Sequence, residues 1–242
     1  MRTWFILLFG SLTLSAFGQN TPSGYDAQQN LNMAGATSGG GMTVVRGFDN
    51  RYEGLRGSPY LLQHWCNADV TLANSKIQND VPVKYDVYSN RLVMRRSQGD
   101  SAIVVSSSVK GFLLKDVITG QNRLFERFPD LKTDDAILKE EYLEVLYEGK
   151  TALLVRYDKK VLKASYQGAY SSGRTYDELM DEKNYYIRKA DQTINKVKLG
   201  KKAVLEQLNA SDDLKKFIEQ EKLDLKETKD VIRLMEFADQ QS

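Results

Sequence analysis

The hydrophobic period of the chain changes once, and that change restricts the fold more than any other feature. From about residue 60 to 197 apolar residues recur at every second position, and after Gly200 they recur with helical spacing. Val81, Val83, Tyr85 and Val87 alternate with Lys84, Asp86 and Tyr88. Ser89-Asn90 then reads as a turn, and residues 91–94 return as a second strand. Leu143, Val145 and Tyr147 lead into Glu148-Gly149-Lys150, and Leu153, Val155 and Tyr157 come back with the same alternation, which predicts a second hairpin. Further short strands are expected at 102–105, 111–114, 123–128, 161–166 and 185–188. No helix separates successive strands, so the sheet should be mainly antiparallel. Residues 132–141 hold one or two turns of helix at most. Beyond Gly200, Val204, Leu205 and Leu208 share a face, and Ser211 suits the N-cap of a helix over 212–222. Val231, Leu234, Met235 and Ala238 mark a third helix over 226–239. None is long enough to stand alone, so all three must pack on one another or on the sheet. The expected class is α+β: a curved antiparallel sheet, half-barrel or sandwich-like, followed by three short C-terminal helices.

The N-terminus carries an address. One Arg precedes an apolar run from Trp4 to Phe17, and Ala16 and Gly18 supply the small residues of a signal-peptidase site. The run is too short and too rich in Ser and Thr to span a bilayer as a helix. The first cysteine is Cys66, so no lipid-modified Cys follows the run, and the expected product is exported but not a lipoprotein. The expected organisation is signal peptide 1–18, a Gly/Gln/Asn-rich flexible leader 19–45, a β-rich body 46–198 and a helical tail 199–242 packed on the body.

Composition removes several functions. With 34 Lys plus Arg against 32 Asp plus Glu, the formal charge is +2, which gives no global reason to bind nucleic acid or an anionic membrane. One Cys rules out an internal disulfide, and one Cys with one His is too few for a zinc site made of those residue types. In an exported chain Cys66 should be buried in its apolar neighbourhood. Gly149-Lys150-Thr151 lacks the upstream Gly of a phosphate-binding loop, position 144 being Glu, and reads as a hairpin tip. Ser107-Ser108-Val109-Lys110 has the Ser-x-x-Lys spacing without its companion motifs. His64 is the sole imidazole and no Gly-x-Ser-x-Gly turn accompanies it, which points to a structural histidine. Asp49 to Gly54 offers oxygens but fails the calcium-loop pattern at Arg51.

Two features retain a functional reading. Glu140, Glu141, Glu144 and Glu148 cluster, and on a regular strand Glu144 and Glu148 share a face, as a carboxylate-based hydrolase of envelope polysaccharide would need. Tyr166, Tyr170, Tyr176, Tyr185 and Tyr186 gather around a Gly/Ser loop and are the candidate ligand- or partner-binding residues. The lysines Lys196, Lys198, Lys201, Lys202, Lys215, Lys216 and Lys222 are interleaved with acids and read as a solvated face.

Arg46-Gly47-Phe48-Asp49-Asn50-Arg51-Tyr52-Glu53-Gly54, then Gly57-Ser58-Pro59-Tyr60-Leu61 with Trp65, and the tail Leu214 to Ile218 with Leu223, Leu225, Val231 and Met235, resemble uncharacterised secreted proteins of the Bacteroidota. Those have a signal peptide, a β-rich body and a helical tail. The resemblance implies a periplasmic or surface-exposed location and brings no activity and no catalytic residues with it. Asp100-Ser101-Ala102 also resembles the O-glycosylation signal of that phylum. The expectation is a non-enzymatic binding or assembly module of the cell envelope. Its partner would be an envelope protein, a glycan, a lipid or another amphipathic ligand. No cofactor, metal, nucleic acid or transmembrane segment after signal cleavage is expected. The alternatives are the hydrolase and a lipid or lipoprotein carrier.

Overall fold

A computed structural model describes residues 42–45, 52, 54–96, 99–164, 176–209 and 211–241. The strands are β1 (Val44–Val45), β2 (Leu55–Arg56), β3 (Cys66–Leu72), β4 (Ile77–Asp86), β5 (Arg91–Arg95), β6 (Ser101–Val104), β7 (Val109–Asp116), β8 (Gln121–Glu126), β9 (Leu143–Glu148), β10 (Ala152–Leu162), β11 (Asp177–Arg188) and β12 (Ile194–Val197). The helices are α1 (Ala136–Glu140), α2 (Lys201–Gln207), α3 (Asp212–Gln220) and α4 (Thr228–Gln241). One sheet runs β1-β6-β5-β4-β3-β7-β8-β9-β10-β11-β12, with β2 added in parallel against the start of β11. Every other pairing of named strands is antiparallel, and the sheet is open, ending on β1 and β12. No helix among the described residues is long and apolar enough to cross a membrane.

Val44–Val45, expected from the sequence to lie in the leader 19–45, form a strand of the sheet. Val44 pairs with Val104, and Met42 and Val44 are buried. Two further strands lie outside those expected: β3, whose buried Cys66, Ala68, Val70 and Leu72 alternate with Asn67, Asp69 and Thr71, and β12, which has four residues. Of the strand expected over 161–166, Val161 and Leu162 end β10 while 165 and 166 lie outside the described residues, and β11 starts well before Tyr185.

The sheet has two halves with different solutions to burial. In the first, β1 and β3–β8 turn one face toward a common core that holds Val70, Val83, Leu92, Phe112, Leu114 and Phe125 and no helix residue. With no second layer to cover it, that half must curl over itself. Tyr85 on β4 and Phe125 on β8 are three strand spacings apart, about 14 Å in a flat sheet. Their ring centroids lie 5.4 Å apart, so the curl is strong. Tyr142 closes the same aromatic group, 5.2 Å from Phe112 and 5.9 Å from Tyr85. Asn90, in the β4–β5 turn at φ +51°, ties this core to the chain before β9. Its Oδ1 accepts from the Tyr85 hydroxyl and the Tyr142 N–H, and its Nδ2 donates to the Glu140 carbonyl.

In the second half, β9–β12 is covered on both faces. Leu131, Leu138 and Phe128 lie against Leu154, Tyr186 and Ile194 on one side. On the other, Leu153, Ile187 and Val197 pack under Val204, Leu214, Ile218, Val231, Leu234 and Met235 of the three C-terminal helices. Ser211 caps α3 by accepting from the Leu214 N–H, and Phe217 and Phe237 stack at 4.0 Å between α3 and α4. Asp239 near the end of α4 accepts from the Tyr147 hydroxyl and the Lys150 N–H, each at 2.8 Å. The Gly149-Lys150-Thr151 tip is thus a hairpin turn held by a helix.

Candidate functional site: a lysine-lined cleft at the sheet edge

The carboxylate cluster does not form a paired-acid site. β9 and β10 slip register, since Leu154 faces Val145 while Leu153 faces Tyr147, leaving Leu146 as an extra residue. The bulge reverses the alternation, so Glu144 and Glu148 lie on opposite faces rather than the same one. Each of the four carboxylates also has its own arginine: Glu140 with Arg127, Glu141 with Arg156, Glu144 with Arg123 and Glu148 with Arg188. Glu144 is buried and fully committed. Arg123 Nε and NH2 donate to it at 2.7 and 3.0 Å, and the Tyr157 hydroxyl donates at 2.6 Å. Burial, then the Glu144 charge, pushes the Tyr157 phenol far up. Burial alone would lower the Arg123 pKa, but the Glu144 hydrogen bond and charge hold it above the ordinary value. Burial raises the Glu141 pKa against the pull of Arg156.

The candidate tyrosines are not brought together. Tyr166 and Tyr170 lie outside the described residues. Tyr176 stands at the start of β11 with the Arg56 guanidinium 3.5 Å over its ring. Nine residues of extended strand, about 30 Å, separate it from Tyr185. Tyr185 and Tyr186 are neighbours on a strand and therefore face opposite ways. Tyr186 is buried beside Leu154 and Leu131, whereas Tyr185 faces the C-terminal helices and reaches Thr228 Oγ1 at 3.4 Å.

Tyr185 does line a cleft, of about 640 Å³, with Lys183, Asn184, Lys196, Val197, Lys198, Leu199 and Lys226. The register explains the composition. Tyr185 pairs with Val197, so Tyr185, Val197 and Leu199 share the apolar face that meets the helices. Lys196 and Lys198 occupy the alternate positions, and β12 ends the sheet, so the cleft wraps around an open edge. Lys226 comes from the α3–α4 connection and Lys183 from β11. Lys183 Nζ sits 5.5 Å from the Tyr157 ring centroid and 4.9 Å from that of Tyr185. No acidic side chain lines the cleft, and none of the four lysines has an ion-pair partner among the described residues. Lysine on an edge strand discourages strand addition, and that alone accounts for Lys196 and Lys198. It does not account for Lys183 or Lys226.

The sequence grouped Lys196 and Lys198 with a solvated face. That holds for Lys201, Lys215 and Lys216, which pair with Glu219, Asp212 and Asp213. Lys183 and Lys226 carried no signal, since only the β11–β12 register and the helix docking bring them to the same place. The Asp49–Gly54 stretch lies mostly outside the described residues. Ser107 is in a short 3₁₀ turn, and Lys110 donates to Ser75 Oγ at 2.7 Å instead of approaching Ser107 as a base. No family model, curated protein or solved structure matches the chain.

Proposed function

We propose that this chain is a non-catalytic binding module of the cell envelope, exported by its N-terminal segment, and that the edge cleft holds the anionic head of an amphipathic ligand. The observation that carries this reading is the convergence of four lysines, without ion pairs among the described residues, on a cleft whose other wall is Tyr185, Val197 and Leu199. A volume of about 640 Å³ falls in the range of small-molecule sites, ~300–1,000 Å³. Cations above an apolar floor suit a ligand with a phosphate or carboxylate head and a hydrocarbon or aromatic body. The hydrolase alternative loses its support, because every carboxylate of the cluster is tied to an arginine. A carrier holding an acyl chain inside the curled half also loses support, because Tyr85, Phe112, Phe125 and Tyr142 fill that centre.

Calorimetry with monomeric dodecyl phosphate, against dodecyl maltoside as a neutral head of the same chain length, tests the reading. Each lysine within reach of the head contributes about 0.5–1 kcal/mol at effective surface dielectric, so four give roughly 30- to 1,000-fold preference for the anion. The K183Q/K196Q/K198Q/K226Q variant should lose most of that preference, and added salt should erode it. Equal affinity for the two amphiphiles would refute the proposal.

A further inference from the structure

A second cluster lies where β3 begins and β7 ends, in the curled half of the sheet. Cys66 opens β3 and Asp116 closes β7. Asn67 pairs with Lys115, so Cys66 and Asp116 are the next cross-strand neighbours. His64 precedes Cys66 by two residues and lies with it, its Nε2 2.9 Å from Asp116 Oδ1. One ligating atom from each of His64, Cys66 and Asp116 falls within 4.8 Å of the others. We propose that His64, Cys66 and Asp116 form a binding site for a single Zn²⁺ ion, with the fourth coordination position open toward solvent.

Three observations support the site. First, the Cys66 thiol is 2% exposed and makes no hydrogen bond among the described residues, so its polar atom is unsatisfied where the other two donors converge. Second, the Asp116 carboxylate is held in place by its own turn. Thr119 Oγ1 donates to Oδ2 at 2.8 Å and the Ile118 N–H donates to Oδ1 at 2.9 Å, which is the outer-shell support a ligating carboxylate needs. Third, the His64 side chain is about one-third exposed, giving an ion a route in and a water molecule a place to stay.

The donor chemistry selects the ion. Thiolate, imidazole and carboxylate together suit borderline Zn²⁺, whose ligand distances are ~2.0–2.3 Å. Calcium and magnesium prefer oxygen alone, and a carboxylate disfavours Cu⁺. A tetrahedral ion with such bonds keeps its ligand atoms about 3.3–3.6 Å apart. To admit it, His64 and Asp116, now 2.9 Å apart, must separate by a few tenths of an ångström, and any pair near the 4.8 Å limit must close by about 1 Å. Binding replaces the S–H bond of Cys66 with a Zn–S bond, and the proton leaves to solvent. Counting Cys and His in the sequence missed the set because its third member is an aspartate on a strand 50 residues away.

The reduced full chain would be titrated with Co²⁺ as a spectroscopic stand-in and with Zn²⁺ against a chromophoric chelator. One equivalent should bind. Co²⁺ should give a sulfur-to-cobalt charge-transfer band together with the visible bands of four-coordination. C66A should abolish the charge-transfer band, and H64Q and D116N should each weaken Zn²⁺ at least tenfold. Far-UV circular dichroism identifies any variant that has unfolded. The wild type supplies a readout free of that problem, because Zn²⁺ should raise its Tm while leaving that of folded C66A unchanged. Absence of the thiolate band in folded wild type, or Zn²⁺ binding that C66A leaves intact, would overturn the site.

Discussion

Removing the Glu144 carboxylate should destabilise the fold more than any other single change to a charged residue. The side chains of Arg123 and Glu144 are 16% and 6% exposed. Glu144→Ala deletes both guanidinium hydrogen bonds and the acceptor of the Tyr157 hydroxyl, and leaves the guanidinium packed over the rings of Phe125 and Tyr157 without a counter-charge. Breaking a buried pair in this way costs about 3–5 kcal/mol. With a urea dependence of about 2 kcal/mol per molar, the unfolding midpoint should fall by roughly 2 M. The double variant R123M/E144M removes both charges and keeps side chains of similar length, so it should recover to within about 1–2 kcal/mol of the parent. The measurement is urea unfolding of the parent, E144A, the single variants R123M and E144M and the double variant, followed by circular dichroism. A loss below about 1 kcal/mol in E144A, or a double variant no better than E144A, would refute the account of a desolvated charge held by its partner.

Three other outcomes follow from particular contacts. Asn90→Ala should cost about 2–3 kcal/mol, because it strands the Tyr142 N–H, leaves the Tyr85 hydroxyl only the Tyr142 carbonyl at 3.4 Å and puts alanine at positive φ; Asn90→Gly, measured alongside in thermal melts, should recover only the backbone part. Gly111→Ala should lower Tm, since a Cβ there would lie 2.6 Å from the Phe125 carbonyl oxygen across the β7–β8 pair, and an unchanged melt would mean that the two strands can part without cost. Burial raises the Tyr142 phenol to about 12, and Tyr85 and Tyr157 are raised by burial as well. Above pH ~10 the folded chain then holds protons that the unfolded chain has lost, so stability falls as pH rises from about 10 toward 12. Near-UV phenolate absorbance should show a late-titrating group of tyrosines that joins the rest in urea. A single transition near pH 10 in the folded protein would contradict this.

Much of the architecture was legible because periodicity reports burial directly. The 81–94 and 143–157 hairpins, the antiparallel class and three C-terminal helices all follow from where apolar residues recur, and Ser211 caps the helix it precedes. The candidate site was far less legible. Tyr185 was named for its neighbourhood and does line the cleft, but Tyr186, beside it in sequence, serves the opposite core. The sequence also made Glu144 and Glu148 partners on one face.

Periodicity is a local property, and the chain determined by itself whatever depends on it: which segments extend, which coil, and which face of each seeks cover. Only the tertiary structure decided what depends on register between distant segments. One inserted residue at Leu146 turned two carboxylates to opposite sides of the sheet. The pairing of β11 with β12 and the docking of α3 and α4 brought Lys183, Lys196, Lys198 and Lys226 around one cleft. The β3–β7 pairing set Asp116 beside Cys66 and His64. Side-chain alternation fixes a face within one strand, but which residues meet across strands is set by pairing and packing over the whole sheet, and no window of sequence contains that information.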